Sequence, residues 1–593
     1  MLCVLTDVLQ PPAGRDGPFG RLACPTSAAC AVLCCLLLCG CGAPSGTQDA
    51  PPDSQQAGEP AAESNSIDFA ALRPRIDRFC GDCHAVPDPA TFPKQAWHDE
   101  VAQGYQFYDE SQRSDLHPPP MNDVVAYFRH FAPQKLIFPS RQPDAAPAPV
   151  TFSRRRVALP EGIRNPSVSY LAWFPVQATD KKSLVICDMR YGMLGQVDLS
   201  GNTPTTSMLA RLQHPATMHP VQFAADGHRG FVVGELGTFQ PGDHERGRIS
   251  WLRGRPDGSG FDAIVLASQL GRVADVRTAD FDGDKKLDLV VAEFGWRKTG
   301  RILLMQQTTV QDGVPQFRTS KLDNRHGTIH VPVVDLNSDG RPDFIALVSQ
   351  EHETIDAFLN IGNGQFDRQR IYQANDPSFG SSGIEVVDID GDADLDVLYT
   401  NGDSLDSHYL KPYHAVHWLE NRGQFPFTHH EIARLPGVSR AIAVDLDSDG
   451  DLDIACAAYL PASIIDQQVD GQIDALIWLE QRPGQPFVRH TIQRAESGYL
   501  SLTSGDFNHD GAPDLAAGHF QASGGDSWVS LWLANGSTPT ERAAAVGPAQ
   551  RSLPAETRPD RRPVRNTLGQ PDGSRPAETP PADSALQGNA YAP

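Results

Sequence analysis

An acidic nine-residue loop recurs five times between residues 280 and 514, and nothing else in the chain constrains its fold so tightly. The copies read Asp280-Phe-Asp282-Gly-Asp284-Lys-Lys-Leu-Asp288, Asp335-Leu-Asn337-Ser-Asp339-Gly-Arg-Pro-Asp343, Asp388-Ile-Asp390-Gly-Asp392-Ala-Asp-Leu-Asp396, Asp445-Leu-Asp447-Ser-Asp449-Gly-Asp-Leu-Asp453 and Asp506-Phe-Asn508-His-Asp510-Gly-Ala-Pro-Asp514. Their first aspartates stand 55, 53, 57 and 61 residues apart, and each loop opens onto a β-rich run. A fixed period of that length marks a repeat architecture. Side-chain oxygens at positions 1, 3, 5 and 9, with a carbonyl at 7, form the oxygen cage that hard Ca²⁺ prefers, so up to five Ca²⁺ ions are expected. The loop is not an EF-hand, because Val291 stands at position 12 of the first copy in place of the bidentate Glu. Lys285 and Ala393 replace Gly at position 6 of the first and third copies, which are therefore expected to bind less tightly.

Two further units lack the acidic loop. Phe231-Val-Val-Gly-Glu-Leu-Gly237 aligns with Leu289-Val-Val-Ala-Glu-Phe-Gly295, 58 residues upstream, and Leu184-Val-Ile-Cys-Asp188 is a weaker match 47 residues before that. Seven units of four strands predict an all-β seven-bladed propeller over 150–536. Five units end in a strand that opens with Phe, at Phe261, Phe317, Phe366, Phe427 and Phe487, but the last stops at its third strand, Trp528 to Leu533. The missing strand stands ahead of the first unit as Phe152-Ser-Arg-Arg-Arg-Val157. It is expected to close the ring against Trp528–Leu533, which leaves no large unpaired edge. The acidic loops resemble the FG-GAP and VCBS repeats of integrin-like propellers, and Phe294-Gly295 and Leu236-Gly237 echo the Phe-Gly half of that signature. The resemblance implies a structural calcium that pins the turn between the first two strands of a blade.

Ahead of the repeats stands Cys80-Gly-Asp-Cys83-His84, the attachment signature of c-type haem. Two thiols one helical turn apart reach the two vinyl groups of one porphyrin, and His84 then stands over the iron as proximal ligand. A thioredoxin-like pair would need a βαβ context, and a zinc site two more ligands at suitable spacing. Residues 67–137 resemble a small class I cytochrome c domain, all-α. Its first helix carries Phe69, Leu72, Ile76 and Phe79; its last, from Met121 to Phe131, carries Val124, Val125, Tyr127 and Phe128 behind Pro118-Pro119-Pro120. Met121, after that Pro-rich loop, is the expected sixth ligand, with His98, His117 and His130 as rivals.

Arg15 and Arg21 precede an apolar run, Ala28 to Cys39, of signal-peptide length. Leu38-Cys39-Gly40-Cys41 resembles a bacterial lipobox, which implies a signal peptide over 1–41 and acylation of Cys41; ordinary cleavage near Ala43 is the alternative. Residues 42–66, rich in Ala, Pro, Gly, Ser and Gln, read as a flexible tether, and 537–593 as a disordered tail. The expected location is therefore outside the cytoplasm, periplasmic or at the cell surface, on a lipid anchor in the membrane. Seven of the eleven cysteines lie in the first 41 residues, so no disulfide framework is expected, and Cys187 and Cys456 read as small buried hydrophobes. A formal charge of −23 argues against nucleic acid as a partner.

A propeller does not dictate a chemistry. Loops entering the innermost strands and loops between second and third strands share one mouth. The first set offers His219, Asp275, Arg277, His330, Glu385, Arg440 and Tyr499. The second offers Arg190, Glu235, Trp296, Arg297, Gln350, Glu351, His352, Glu353, Asp403, His519 and Gln521. Gln350-Glu-His-Glu353 reads either as a metal or general-base site or as a polar solvated loop; in the pair His414/His417, His417 reads as packing or surface. The order lipobox, cytochrome c segment, FG-GAP/VCBS repeats resembles a group of exported bacterial multidomain proteins. That resemblance implies haem and calcium and leaves the substrate open. The leading expectation is a haem-binding electron-transfer lipoprotein that meets an electron donor or acceptor protein and binds a partner or ligand, such as a carbohydrate or small molecule, on its propeller. The alternatives are a propeller dehydrogenase that oxidises a sugar or alcohol, and an adhesion or glycan-binding module.

Overall fold

A computed structural model describes residues 67–138, 144, 147–176, 182–201, 203–223, 230–405, 407, 409–460, 473–482, 484–494, 498–520 and 527–535. Cys41, the segments 1–41, 42–66 and 537–593, and Gln521 lie outside the described residues.

The helical part has α1 (Phe69–Cys80), α2 (Trp97–Glu110) and α3 (Met121–Phe131), with a 3₁₀ turn at Pro89–Thr91. Asp68 starts α1 by accepting the Ala70 and Ala71 N–H groups at 3.0 and 3.1 Å, an N-cap that satisfies two otherwise orphaned donors. Leu72, Ile76 and Phe79 recur at helical spacing and are buried, Leu72 and Ile76 in a cluster with Trp97, Val101, Val124, Val125 and Phe128, and Phe79 against Tyr105 and Tyr108 of α2. Trp97 stacks on Phe128 with ring centroids 4.2 Å apart.

The rest is a seven-bladed propeller of antiparallel four-stranded blades: 168–211, 215–270, 273–323, 328–373, 383–434, 438–494, and a seventh from 499–535 plus Thr151–Ala158. In the seventh blade Phe152 pairs with Ala534, Arg154 with Trp532 and Val157 with Val529, so the strand ahead of the first blade closes the ring as its sequence predicts. The inner strand of blade 4 is split at Val331-Pro332, where proline cannot donate to a ladder. Five blade junctions use one device, a hydroxyl on an inner strand donating to a carbonyl of the next inner strand. The pairs are Ser169–Pro215 (3.0 Å), Thr217–Ala274 (3.1 Å), Ser382–Val438 (2.8 Å), Ser439–Tyr499 (2.6 Å) and Ser501–Val168 (3.2 Å). The last of these crosses the closure.

In such a blade the turns between strands 1 and 2 and between 3 and 4 share one face. Turns 2–3 and the entries to each blade share the other. The five acidic loops all lie on the first face and the helices stand on the second, over blades 3 to 5. The Arg297 guanidinium sits 3.9 Å from the Phe107 ring centroid, and Lys298 Nζ lies 4.0 Å from Glu110. The Asp88 N–H donates to Asp376 Oδ2 at 2.8 Å, and Lys411 Nζ stands 4.6 Å from the Phe92 ring centroid.

Val157 is fully buried in the closing strand beside Val529 and Leu531. Val157→Asp places an unpaired carboxyl there and should cost about 4 kcal/mol. Thr151→Ala, at the exposed start of the same strand, should stay within about 0.5 kcal/mol. Urea unfolding followed by tryptophan fluorescence reads both.

Candidate functional site

Cys80 is the last residue of α1, half-buried against the helical core, while Cys83 is exposed just beyond it; neither is in a disulfide. Burial pushes the Cys80 thiol up to about 11. His84 Nδ1 lies 2.7 Å from the Ala85 carbonyl oxygen. A carbonyl only accepts, so Nδ1 carries the proton and Nε2 keeps its lone pair for a metal. Arg113 bridges Asp82 and Asp115, tying the loop after α2 across the Cys-x-x-Cys turn. Tyr105 Oη donates to the Pro119 carbonyl at 2.6 Å and holds that loop's end against α2.

The placement of Met121 and its rivals follows from helix direction. Phe69, at the start of α1, packs on Tyr127 (5.8 Å), His130 (4.9 Å) and Phe131 (6.0 Å), at the end of α3. Cys80 and Met121 both border the same apolar cluster. His130 stands about 16 Å along α1 from Cys80 at 1.5 Å per residue. His98 is exposed beside Asp99, and His117 is exposed. Two thiols, one oriented imidazole and a thioether at one end of a helical core are a donor set that fits haem c.

In the acidic loops, the position-9 aspartates are all buried and serve the backbone. One oxygen accepts from the position-2 N–H: Phe281 (3.2 Å), Leu336 (3.0 Å), Ile389 (3.1 Å), Leu446 (3.0 Å), Phe507 (2.9 Å). The other accepts from the third strand: Gln307 (2.8 Å), Asn360 (2.7 Å), Asn421 (2.8 Å), Gln481 (2.9 Å), Ala534 (2.8 Å). Carboxylate oxygens of positions 1, 3 and 9 gather within 4.8 Å in three loops, Asp280/Asp282/Asp288, Asp388/Asp390/Asp396 and Asp445/Asp447/Asp453. Position 5 is engaged differently: Asp284, Asp339, Asp392, Asp449 and Asp510 each accept the N–H of position 7.

Every loop has left-handed residues at positions 4 and 6. Position 6 is Lys285 (φ 67°) and Ala393 (φ 74°) in the first and third copies, where position 4 is Gly283 or Gly391. The other three put glycine at 6 and Ser338, Ser448 or His509 at 4. Each loop thus carries one strained non-glycine residue, a cost of roughly 1–2 kcal/mol wherever it falls. The absence of Gly at position 6 gives no backbone reason for weaker binding in two copies.

Of the first rim set, six residues converge on the channel. His219 Nε2 lies 2.9 Å from Asp275 Oδ1, and Arg277 Nε lies 3.1 and 3.2 Å from the two oxygens of Asp275. His330 Nδ1 is 4.0 Å from Asp275 Oδ2, which also accepts the Val331 N–H at 3.1 Å. Burial opposes ionisation of Asp275, yet Arg277, His219 and His330 together hold its carboxyl well below the usual range. Burial and Arg440 push His330 down to about 3. A cavity of about 280 Å³ is lined by His219, Arg277, Glu385, Arg440, Tyr170 and Thr503 among others. Tyr499 does not join them; it is buried and accepts from Arg154 at 3.1 Å.

The second set disperses. Glu235 is buried on Ser250 and the Gln213 N–H, and His519 on Ser530. Arg190 lies over Phe239, and Asp403 caps the Leu405 N–H. Arg297 faces the helices, lying over Phe107, and also lies over the Trp296 ring. Glu353 is no ligand: it is buried on the N–H groups of Gly380 and Ser381, and burial pushes it up to about 8. Glu351 and His352 meet His326, which the sequence did not single out because it belongs to the preceding connection. His417 is buried among Phe379, Tyr399 and His429, as its packing reading expects.

A cleft of about 740 Å³ opens where residues 86–89, directly after His84, face Asn375, Asp376, Phe379 and Tyr413. The fold and the Cys80–His84 segment define a haem-binding cytochrome c domain joined to a β-propeller. Residues 76–168 match the dihaem cytochrome c family, and residues 335–399 match the FG-GAP-like repeat. The first match runs from α1 past the closing strand, and Cys-x-x-Cys-His occurs once in the chain. The second spans two acidic loops. No curated protein matches the chain.

Lys411 is fully enclosed between the helices and blade 5, donating to the Ser378 carbonyl, and burial brings its amine down to about 8. At this site the unfolded chain then binds more protons than the folded one between pH 8 and about 10.5, so the contribution of Lys411 to stability rises with pH across that window. Chemical denaturation should show the stability of the wild type relative to Lys411→Met rising with pH across it.

Proposed function

We propose that this protein is an exported, lipid-anchored electron-transfer protein whose haem works at the mouth of its propeller. Cys80 and Cys83 hold one haem c, with His84 and Met121 as axial ligands. When bound, the haem supplies a one-electron couple. The observation that carries this reading is the seat of the helices: they stand on the mouth formed by blade entries and 2–3 turns, not on the face of the acidic loops. An electron donor or acceptor protein, or a carbohydrate or other small molecule held in the adjoining cleft or channel, would then meet the haem domain. A visible spectrum of the oxidised, exported protein, kept free of oxygen, tests it. Covalent c-type bands at one haem per chain are expected, reduced by dithionite or a redox protein. Reduction by one added sugar or alcohol would instead favour the dehydrogenase reading, with His219, Asp275, Arg277 and Glu385 as its candidate groups. Absence of c-type bands overturns the proposal. Met121→His should lower the reduction potential by on the order of 100 mV, within the ~0.8 V that axial ligation spans; an unchanged potential removes Met121 from the iron.

The same reading assigns Ca²⁺ to the five loops as a brace for blades 3 to 7, supported by the oxygen clusters at positions 1, 3 and 9. Free Ca²⁺ at a hundredfold excess over its Kd stabilises by about 2.7 kcal/mol per site relative to chelated protein. Asp447→Ala should remove one ion and leave the chelated protein unchanged. Asp453→Ala should destabilise both forms, because Asp453 also holds Leu446 and Gln481. Calorimetric titration and thermal unfolding read the two.

A further inference from the structure

On the rim of blade 4, three metal-ligating side chains meet apart from the haem segment, the acidic loops and the channel cluster. Glu351 and His352 come from the turn after strand Asp343–Val348, and His326 from the connection out of blade 3. His326 Nε2 lies 3.0 Å from Glu351 Oε1 and 3.1 Å from Oε2, and His352 Nε2 lies 4.0 Å from Oε1. The two imidazole centroids are 5.2 Å apart, and one ligand atom from each residue lies within 4.8 Å of the others. His352 Nε2 is itself buried with no hydrogen-bond partner among the described residues. A buried polar atom left so costs about 1–3 kcal/mol.

The backbone holds this arrangement in place. The Gly327 N–H donates to the Phe294 carbonyl at 2.8 Å, and the Gly327 carbonyl accepts from Ser349 N and Oγ at 2.8 and 2.9 Å. These bonds join His326 to the turn that carries its partners. Gly327 has φ 86°, and a Cβ there would lie 2.9 Å from Gln350 Cγ, so the close approach needs glycine. Gln350 (φ 57°) and Glu353 (φ 46°) bracket Glu351 and His352, a shape that lets two successive side chains serve one point.

We propose that His326, Glu351 and His352 bind one divalent first-row transition ion. Imidazole with carboxylate suits Zn²⁺, Fe²⁺ or Ni²⁺, whereas Ca²⁺ takes six to eight oxygens. Ligands about 2.0–2.2 Å from such an ion stand roughly 3–3.6 Å from one another, against 3.0 Å for His326–Glu351, 4.0 Å for His352–Glu351 and at most 4.8 Å across the set, so a shift of about 1 Å in His352 would close the site. Three protein ligands leave a coordination position open, the pattern of a reactive rather than a purely structural site. The rim of blade 4 lies between the contacts that the helices make with Arg297 on blade 3 and with Asp376 and Lys411 at blade 5, so the ion sits on the face that carries the haem domain. The rival reading is a plain His326–Glu351 hydrogen bond with His352 as a neighbour. The proposal does not rest on the electron-transfer reading.

Zn²⁺ is titrated by calorimetry into the full-length, haem-loaded protein saturated with Ca²⁺. One site of sub-micromolar Kd (roughly −8 kcal/mol or stronger), unmoved by excess Ca²⁺, is expected. Partner groups outside the ligand shell are typically worth 10–100-fold in affinity, so His352→Gln and Glu351→Gln should each weaken Zn²⁺ by about 100-fold or more. His98→Gln, on an exposed histidine of α2, should leave it unchanged. An unchanged haem spectrum and melting temperature show that a variant is folded. No tight Zn²⁺ in the wild type, or tight Zn²⁺ that survives in folded His326→Gln and His352→Gln, overturns the proposal.

Discussion

The antiparallel pairing of Thr151–Ala158 with Ser527–Asn535 is the constraint on which the rest depends. A ring of blades left open would expose edges of unpaired N–H and C=O groups, and the inner strands of the first and last blades would lose the contact between them that Ser501 makes with Val168. Here the closing strand follows the helices in sequence. Phe138, Ala148 and Val150, between α3 and that strand, pack into the apolar cluster shared by blades 5, 6 and 7. The chain that joins the helices to the closing strand is thus anchored on the same blades that the strand closes.

Much of this was legible in the sequence because it rests on local spacing. The blade count follows from the period of the acidic loops, and the closing strand from a Phe-led element missing at one end and present at the other. The Cys80–His84 segment needs only a helix end to present its groups. The position-9 aspartates show the limit of that reasoning. Spacing marks them as cation ligands, yet in the fold each first ties a turn to the third strand of its blade, with or without an ion. Spacing also hid the exchange of glycine between positions 4 and 6, which leaves the five backbones equivalent.

What the sequence hid depends on neighbours from different blades. His326 becomes meaningful only because Gly327 is bonded to both Phe294 and Ser349. Arg297 looks like a rim charge, but its partner is the face of Phe107 on α2, 190 residues earlier. Tyr499 stands where an inner strand begins, yet its ring packs on Trp532 and His519 inside its own blade. No period in the sequence encodes such meetings.

The two faces of the propeller have different electrostatic tasks. The acidic loops concentrate carboxylates on the face away from the helices, where like charges gather and a cation is the natural complement. Around the channel the balance is kept by side chains: Arg277 and the two histidines hold the Asp275 carboxyl well below the usual range, while burial pushes His219 and His330 down. Glu385, pushed up by burial, has Arg440 opposing that shift. The division leaves the mouth under the helices as the face where the helical domain meets blades 3 and 5, through Phe107 over Arg297 and Phe92 over Lys411.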